Sequence, residues 1–455
     1  MKLYSRRIAF LISDQHLIPH GGIGQFCKGF TEMCQQLNWK VDILVDKVPR
    51  DSEFVKLLEN NNANIIFPDN SISYTDHTST FAFTDSINWE KVINFRNVFM
   101  KASAGNLYDL IVCNTSESMS AIYGLSLEKY IPVVFYSHQY SMVFRNEVDF
   151  DDACLPQYHE FYNMHTTLPG VYTGTQTEKN VKSLEFYSCS NPKLLRMPIP
   201  EKSLLKPYNG ERKGVLFIGR WEDRKNPKAY IRVMKETGLP CKVMTNSSGK
   251  TKFETAFAEA GINDYEIRAG IIGAEKSEFI RSSSVFFMPA LGESYGFAFM
   301  ECLPHMPCVV LDNQNWSDNF DQKYVHKVEL KNAANVITYL YNKYWYYNNG
   351  ALEYIKNFDN DAASDWSKLL EEFEPKRSNN NSAKINNVES TRYKQFIENL
   401  NRDKLCREDI ESVYSNRHKF VNIIYTDKDT YLSKDPNYVP VVECQENVFE
   451  SLFEF

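Results

Sequence analysis

Residues 284–312 read SVFFMPALGESYGFAFMECLPHMPCVVLD. An apolar run, Ser284 to Ala290, leads into a glycine-punctuated loop, a helical stretch and a second apolar run, Val309 to Asp312. Strand, tight loop, helix, strand is the repeating unit of a parallel α/β sheet, so this segment sets the fold class. It also places two carboxylates. Glu293 falls on the loop leaving the carboxyl end of the first strand, where open α/β sheets take ligands, beside amides at a helix N-terminus. Glu301, eight residues on, is expected about two turns into the helix. Carboxylates accept several hydrogen bonds and suit vicinal hydroxyls, so the pair implies a ligand such as a ribose or a hexose. The bland alternative is a solvated loop glutamate and a water-facing helix glutamate. Gly292, Gly296, Pro304 and the apolar flanks weigh against it.

The same alternation runs outward along the chain. Strands are expected at Ile8 to Ser13, Val41 to Asp46, Ala63 to Phe67, Asp109 to Asn114, Val133 to His138 and Gly170 to Tyr172. A second series follows at Gly214 to Gly219, Lys242 to Thr245, Glu266 to Ala269, Ser284 to Ala290 and Val309 to Asp312. Two successive series predict two Rossmann-like domains, 1–200 and 201–374, with a ligand cleft between them and a hinge near Pro198 to Lys213. Beyond about Asn313 the alternation is expected to fade. Val336 to Tyr347 reads as an aromatic-rich packing helix and Asp365 to Phe373 as another helix. Residues 375–390, rich in Asn, Ser and Lys, read as a linker, and 391–455 as a small appendage with a strand at Phe420 to Tyr425.

Composition narrows the function classes. The 455 residues carry a net charge of −7, so no bulk basic field draws nucleic acid, and any such contact has to come from a local patch. Ten cysteines without CxxC pairs, and an N-terminus without a signal-peptide pattern, read as reduced thiols in a cytoplasm. No apolar run has bilayer-spanning length.

Three further segments carry chemistry. In Gly214 to Pro227, GVLFIGRWEDRKNP, a strand ends at Gly219, and Arg220 and Lys225 follow five residues apart on a loop opening into a helix. Arginine's planar fork and lysine's mobile point charge can converge on a diphosphate. The alternative is a pair of solvated charges at a helix start, matched by Glu222 and Asp223. The N-terminal loop ends His20-Gly21-Gly22-Ile23-Gly24, where glycines let backbone approach a ligand or simply make a turn; the spacing is not the dinucleotide fingerprint. In Val133 to Asn146, VVFYSHQYSMVFRN, a strand runs into His138, and a lone histidine there is more often structural than catalytic. No His, Cys or Asp cluster has metal-ligand spacing.

Taken together, the Glu-x₇-Glu stretch and the Gly-Arg-x₄-Lys spacing resemble the retaining nucleotide-sugar glycosyltransferases of the GT-B class. The glycine loop and the strand ending at His138, with Arg145 downstream, resemble more narrowly the T-even bacteriophage α-glucosyltransferases that modify 5-hydroxymethylcytosine in DNA. The chain departs from those at Gln139, where an aspartate is expected, and in its longer C-terminal region. The resemblance implies two Rossmann-like domains facing each other, retention of configuration, a UDP-sugar donor and no metal or other cofactor. It implies catalytic roles for Arg220, Lys225, Glu293 and His138. It further implies donor contacts from Gly21, Gly22, Gly219, Ser294, Tyr295, Gly296, Phe297 and Glu301, and an acceptor contact from Arg145. Double-stranded DNA containing 5-hydroxymethylcytosine is the implied acceptor, with Lys179, Lys182 and Lys193 as further cations for its phosphates. The sugar transferred to it is glucose or a pentose such as arabinose; transfer to a cell-surface glycan or lipid is the competing enzyme reading. A non-catalytic sugar-nucleotide or nucleic-acid binding protein is the reading from another class.

Overall fold

Short β-branched and aromatic runs, apolar on both faces, cannot sit at a wetted surface, and they assemble into parallel sheets covered by helices. The computed structural model describes residues 5–19, 21–74, 88–123, 125, 127–136, 138, 170–186, 191–291, 293, 295–312, 317, 320–343 and 348–373. In the first half the strands are β1 (Arg6–Ile12), β2 (Trp39–Val45), β3 (Ala63–Ile66), β4 (Leu110–Cys113), β5 (Val133–Tyr136), β6 (Tyr172–Thr175) and β7 (Pro192–Leu194). They pair in the order β3-β2-β1-β4-β5-β6-β7, all parallel. Helices α1 (Gly22–Gln36), α2 (Ser52–Asn60), α3 (Trp89–Ser103), α4 (Ser116–Tyr123) and α5 (Glu178–Phe186) alternate with them.

The second sheet holds β8 (Val215–Ile218), β9 (Cys241–Thr245), β10 (Tyr265–Ala269), β11 (Val285–Met288), β12 (Cys308–Leu311) and β13 (Val325–Val328), parallel in the order β10-β9-β8-β11-β12-β13. Its helices are α6 (Pro227–Thr237), α7 (Ser247–Ala260), α8 (Gly273–Arg281), α9 (Phe297–Cys302), α10 (Ala333–Tyr341) and α11 (Asn348–Phe373). Strand order reverses beside β1 in the first sheet and beside β8 in the second, and such switch points open crevices at the carboxyl ends.

The expected strands are present with shifted ends, the largest shift taking Gly170 to Tyr172 to Tyr172–Thr175. Two strands have no counterpart in the sequence reading. β7 is three residues long and begins on Pro192 at a sheet edge, where a missing N–H costs nothing. β13, VHKV, contradicts the fading expected beyond Asn313: with two polar residues in four it carries little apolar signal, and its register with β12 fixes it. α11 begins well before Asp365 and runs 26 residues. The linker 375–390, the appendage 391–455, Ser294 and Arg145 lie outside the described residues.

α11 ties the halves together. Its Trp366 is fully buried against Phe30 edge-on at 4.8 Å and Tyr136 at 5.9 Å, and its indole N–H donates to Arg196 O at 3.1 Å. Asp365 accepts both the Arg196 amide and its guanidinium, and Asp359 accepts from the Ile199 amide and the Lys202 ammonium. Capturing both backbone and side-chain donors, these carboxylates hold the 196–202 crossing in one path. One apolar cluster accordingly runs from Phe10, Phe26 and Trp366 through Met197 to Tyr295 and Phe299.

Candidate functional site

The loop after β8 is shaped by local rules. Gly219 sits tightly packed: an added Cβ would lie 3.3 Å from the Phe217 ring and 3.4 Å from Lys225 Cγ, so those side chains would have to give by a few tenths of an ångström. Asn226, in the left-handed region at φ +51°, caps α6, and Pro227 occupies the first turn, where its missing N–H is harmless. The bend presents Arg220, Arg224 and Lys225. Leu291 N donates to Arg224 O at 2.8 Å, which stitches this loop to the one leaving β11.

That stitch brings the two sequence motifs into contact. The Lys225 ammonium donates to Glu293 Oε1, and Arg224 Nη1 lies 3.9 Å from Glu293 Oε2. Glu293 is buried, and burial, aided by Arg224, lowers the Lys225 pKa against the opposing pull of Glu293. Arg220, its side chain half exposed, pairs with Glu222 at 3.0 Å, so Arg220 and Lys225 lie on one loop but hold different carboxylates.

Gly296, at φ +81°, supplies the left-handed turn into α9, and Phe297 opens that helix half-buried. α9 is only six residues long, so Glu301 lies about one turn in rather than the two expected. It is buried and accepts from Lys276 Nζ on α8 at 2.5 Å. Tyr295 points its ring into the core, 5.1 Å from Phe297, with its hydroxyl donating to Met197 O at 3.4 Å. What remains of Tyr295 for a ligand is its backbone.

The first domain faces this site through the ends of β1, β4 and β5. Gly21 is the N-cap of α1 and Gly22 its first residue. The residue that cannot change is Gly24, where a Cβ would fall 2.0 Å from Ile18 O. Gln25 donates its amide to Pro19 O and accepts from Lys276 Nζ at 3.2 Å, so one lysine of the second domain holds both the glycine loop's helix and Glu301. Sequence reading missed Lys276 and Gln25, since a lysine on an amphipathic helix and a glutamine after a turn carry no motif. His138 sits just beyond β5 against Phe26 (5.2 Å) and Tyr136 (4.8 Å), its Nε2 2.7 Å from Asn114 Oδ1. Burial, with His16 adding to it, pushes its pKa down to about 3, so the ring is neutral at physiological pH. Among the described residues no group of three or more His, Cys, Asp or Glu is placed to hold a metal ion.

Two parallel-sheet Rossmann-like domains joined by a crossing helix, with glutamate and basic loops at the switch point of the second, constitute a GT-B fold. Among solved structures the chain is similar to a sucrose-phosphate synthase from Thermosynechococcus elongatus, with TM-score 0.61 and 12% identity, covering 81% of this chain and 98% of that one. WaaG, a glycosyltransferase involved in lipopolysaccharide biosynthesis, gives 0.54 and 13% over 80% and 98%. Anabaena HepE, solved with UDP and glucose, gives 0.53 and 12% over 85% and 100%. Likeness at such identity speaks to the fold. No family model matches the chain, and no curated protein matches it. Among the described residues no helix is long and apolar enough to cross a membrane.

Proposed function

We propose that the chain is a retaining glycosyltransferase that uses a UDP-sugar. The observation that carries this reading is the Lys225–Glu293 contact, which joins a cation suited to a diphosphate and a carboxylate suited to sugar hydroxyls at one switch point. HepE, one of the similar structures, was solved with UDP and glucose, in keeping with such a donor. In this reading Glu293 accepts from the donor sugar's hydroxyls and Glu301 from the ribose. Arg220 and Lys225 neutralise the departing diphosphate, the anion that needs both a fork and a point charge. The acceptor hydroxyl attacks from the face the diphosphate leaves, and a donor phosphate oxygen takes its proton. Positioning and fixed charge then supply most of the rate, with no metal called for.

For the acceptor, 5-hydroxymethylcytosine in DNA is the first candidate, on the sequence resemblance and on cations such as exposed Lys182. Lys193 already pairs with Glu372. A glycan or lipid acceptor is the second candidate, in line with the name WaaG bears. The test incubates the protein with radiolabelled UDP-glucose and UDP-arabinose and, separately, hydroxymethylated DNA, unmodified DNA and a glycan-lipid extract. Label in hydroxymethylated DNA alone supports the first acceptor, and label in the extract alone replaces it with the second. Binding of UDP-sugar without turnover on any acceptor overturns the transferase reading in favour of a binding protein.

A further inference from the structure

Asn114 directly follows β4 and His138 lies just beyond β5, and the Asn114 amide has a forced orientation. The Leu11 carbonyl can only accept, and Asn114 Nδ2 lies 2.9 Å from it, so Nδ2 is the donor there. The other end of the amide, Oδ1, must then face His138 Nε2 at 2.7 Å, and an amide oxygen only accepts. Nε2 therefore carries the proton. Asn114 is buried, and its own backbone N–H, donating to Leu11 O at 3.2 Å, fixes the residue against β1; turning the side-chain amide would break both the Nδ2–Leu11 O and the Oδ1–His138 contacts. Phe26 and Tyr136 hold the imidazole plane from the sides.

The geometry points to Asn114 as a positioning residue that locks His138 in the Nε2–H tautomer, leaving the Nδ1 lone pair as the ring's sole offer to a donor-sugar hydroxyl. The low pKa of His138 agrees with this, since a neutral ring has one lone pair to present. A hydroxyl can donate to that lone pair. The hydroxyl half rests on the UDP-sugar reading above; the tautomer half does not.

The test is long-range ¹H–¹⁵N NMR of the full chain labelled at its nine histidines, with His138→Gln assigning the resonance. Near neutral pH the expected His138 pattern is a protonated Nε2 and a pyridine-like Nδ1. A protonated Nδ1 or an imidazolium overturns the proposal without any Asn114 variant having to fold. In Asn114→Leu the tautomers mix, whereas Asn114→Asp, which keeps an acceptor, keeps Nε2 protonated; an unchanged spectrum in Asn114→Leu also overturns it. Saturating UDP-glucose is expected to shift Nδ1 upfield, and UDP alone is not. If UDP-glucose binds and Nδ1 stays still, the hydroxyl contact is wrong. If UDP-glucose does not bind, the donor reading and the hydroxyl half fall together, and the tautomer stands or falls on the first spectrum.

Discussion

Lys225, half-buried, and Glu293, buried, 68 residues apart, form an ion pair between the loops after β8 and β11. Removing Glu293 leaves Lys225 beside Arg224 without its carboxylate, whereas removing Lys225 leaves Glu293 with Arg224 at 3.9 Å as its remaining cation. Lys225→Ala is expected to lower kcat by about 10²-fold or more, the loss usual for an oxyanion-type donor. Steady-state transfer from UDP-glucose measures it, and near-normal turnover in both Lys225→Ala and Arg220→Ala removes the basic pair from the reaction.

Arg220 is held by Glu222 at 3.0 Å, and a diphosphate would have to compete with that carboxylate. The pair is half exposed and therefore weak, of the order of 1 kcal/mol or less. Glu222→Gln is accordingly expected to tighten UDP binding by about two- to five-fold in calorimetry. Unchanged or weaker binding means that Arg220 does not meet the diphosphate.

Lys276 balances buried Glu301 and reaches Gln25 of the other domain. Lys276→Met strands a buried carboxylate, a change expected to cost about 3 kcal/mol of unfolding free energy. Adding Glu301→Gln removes the stranded charge, and urea denaturation is expected to recover much of the loss. A double variant no more stable than the single one shows that the pair is not electrostatically coupled.

His305 is buried, donates from Nε2 to Leu204 O at 2.7 Å, and has its pKa pushed down to about 4 by burial, with Arg212 and Arg281 also lowering it. The unfolded chain, with a histidine pKa of about 6.5, binds the proton more readily, so stability is full above about pH 6.5 and declines as pH falls toward 4. In His305→Gln the melting temperature should fall less steeply over that window. An identical slope assigns the acid sensitivity to other groups.

Much of this arrangement was legible in the sequence because its signals are local. Apolar runs such as Leu110–Cys113, Val285–Met288 and Cys308–Leu311 mark strands buried on both faces, and the two glutamates fall where strand and helix periods change. The start of α9 was not legible: Gly296, in the left-handed region, delays the helix to Phe297, so Glu301 sits nearer its start than the periodicity implies. β13 was missed because VHKV gains its strand character from register with β12. Lys276, Gln25 and Asn114 were invisible for the same physical reason. Their chemistry comes from neighbours 24 to 251 residues distant in sequence, and no spacing encodes such contacts.

The measurement closest to the central claim is paired calorimetric titration of UDP and UDP-glucose into the wild-type protein and into Glu293→Gln. If Glu293 binds the sugar, the wild type prefers UDP-glucose over UDP, and the variant keeps its UDP affinity while losing that preference. A variant that still discriminates UDP-glucose from UDP as the wild type does would contradict the placement of the donor sugar at the Lys225–Glu293 pair.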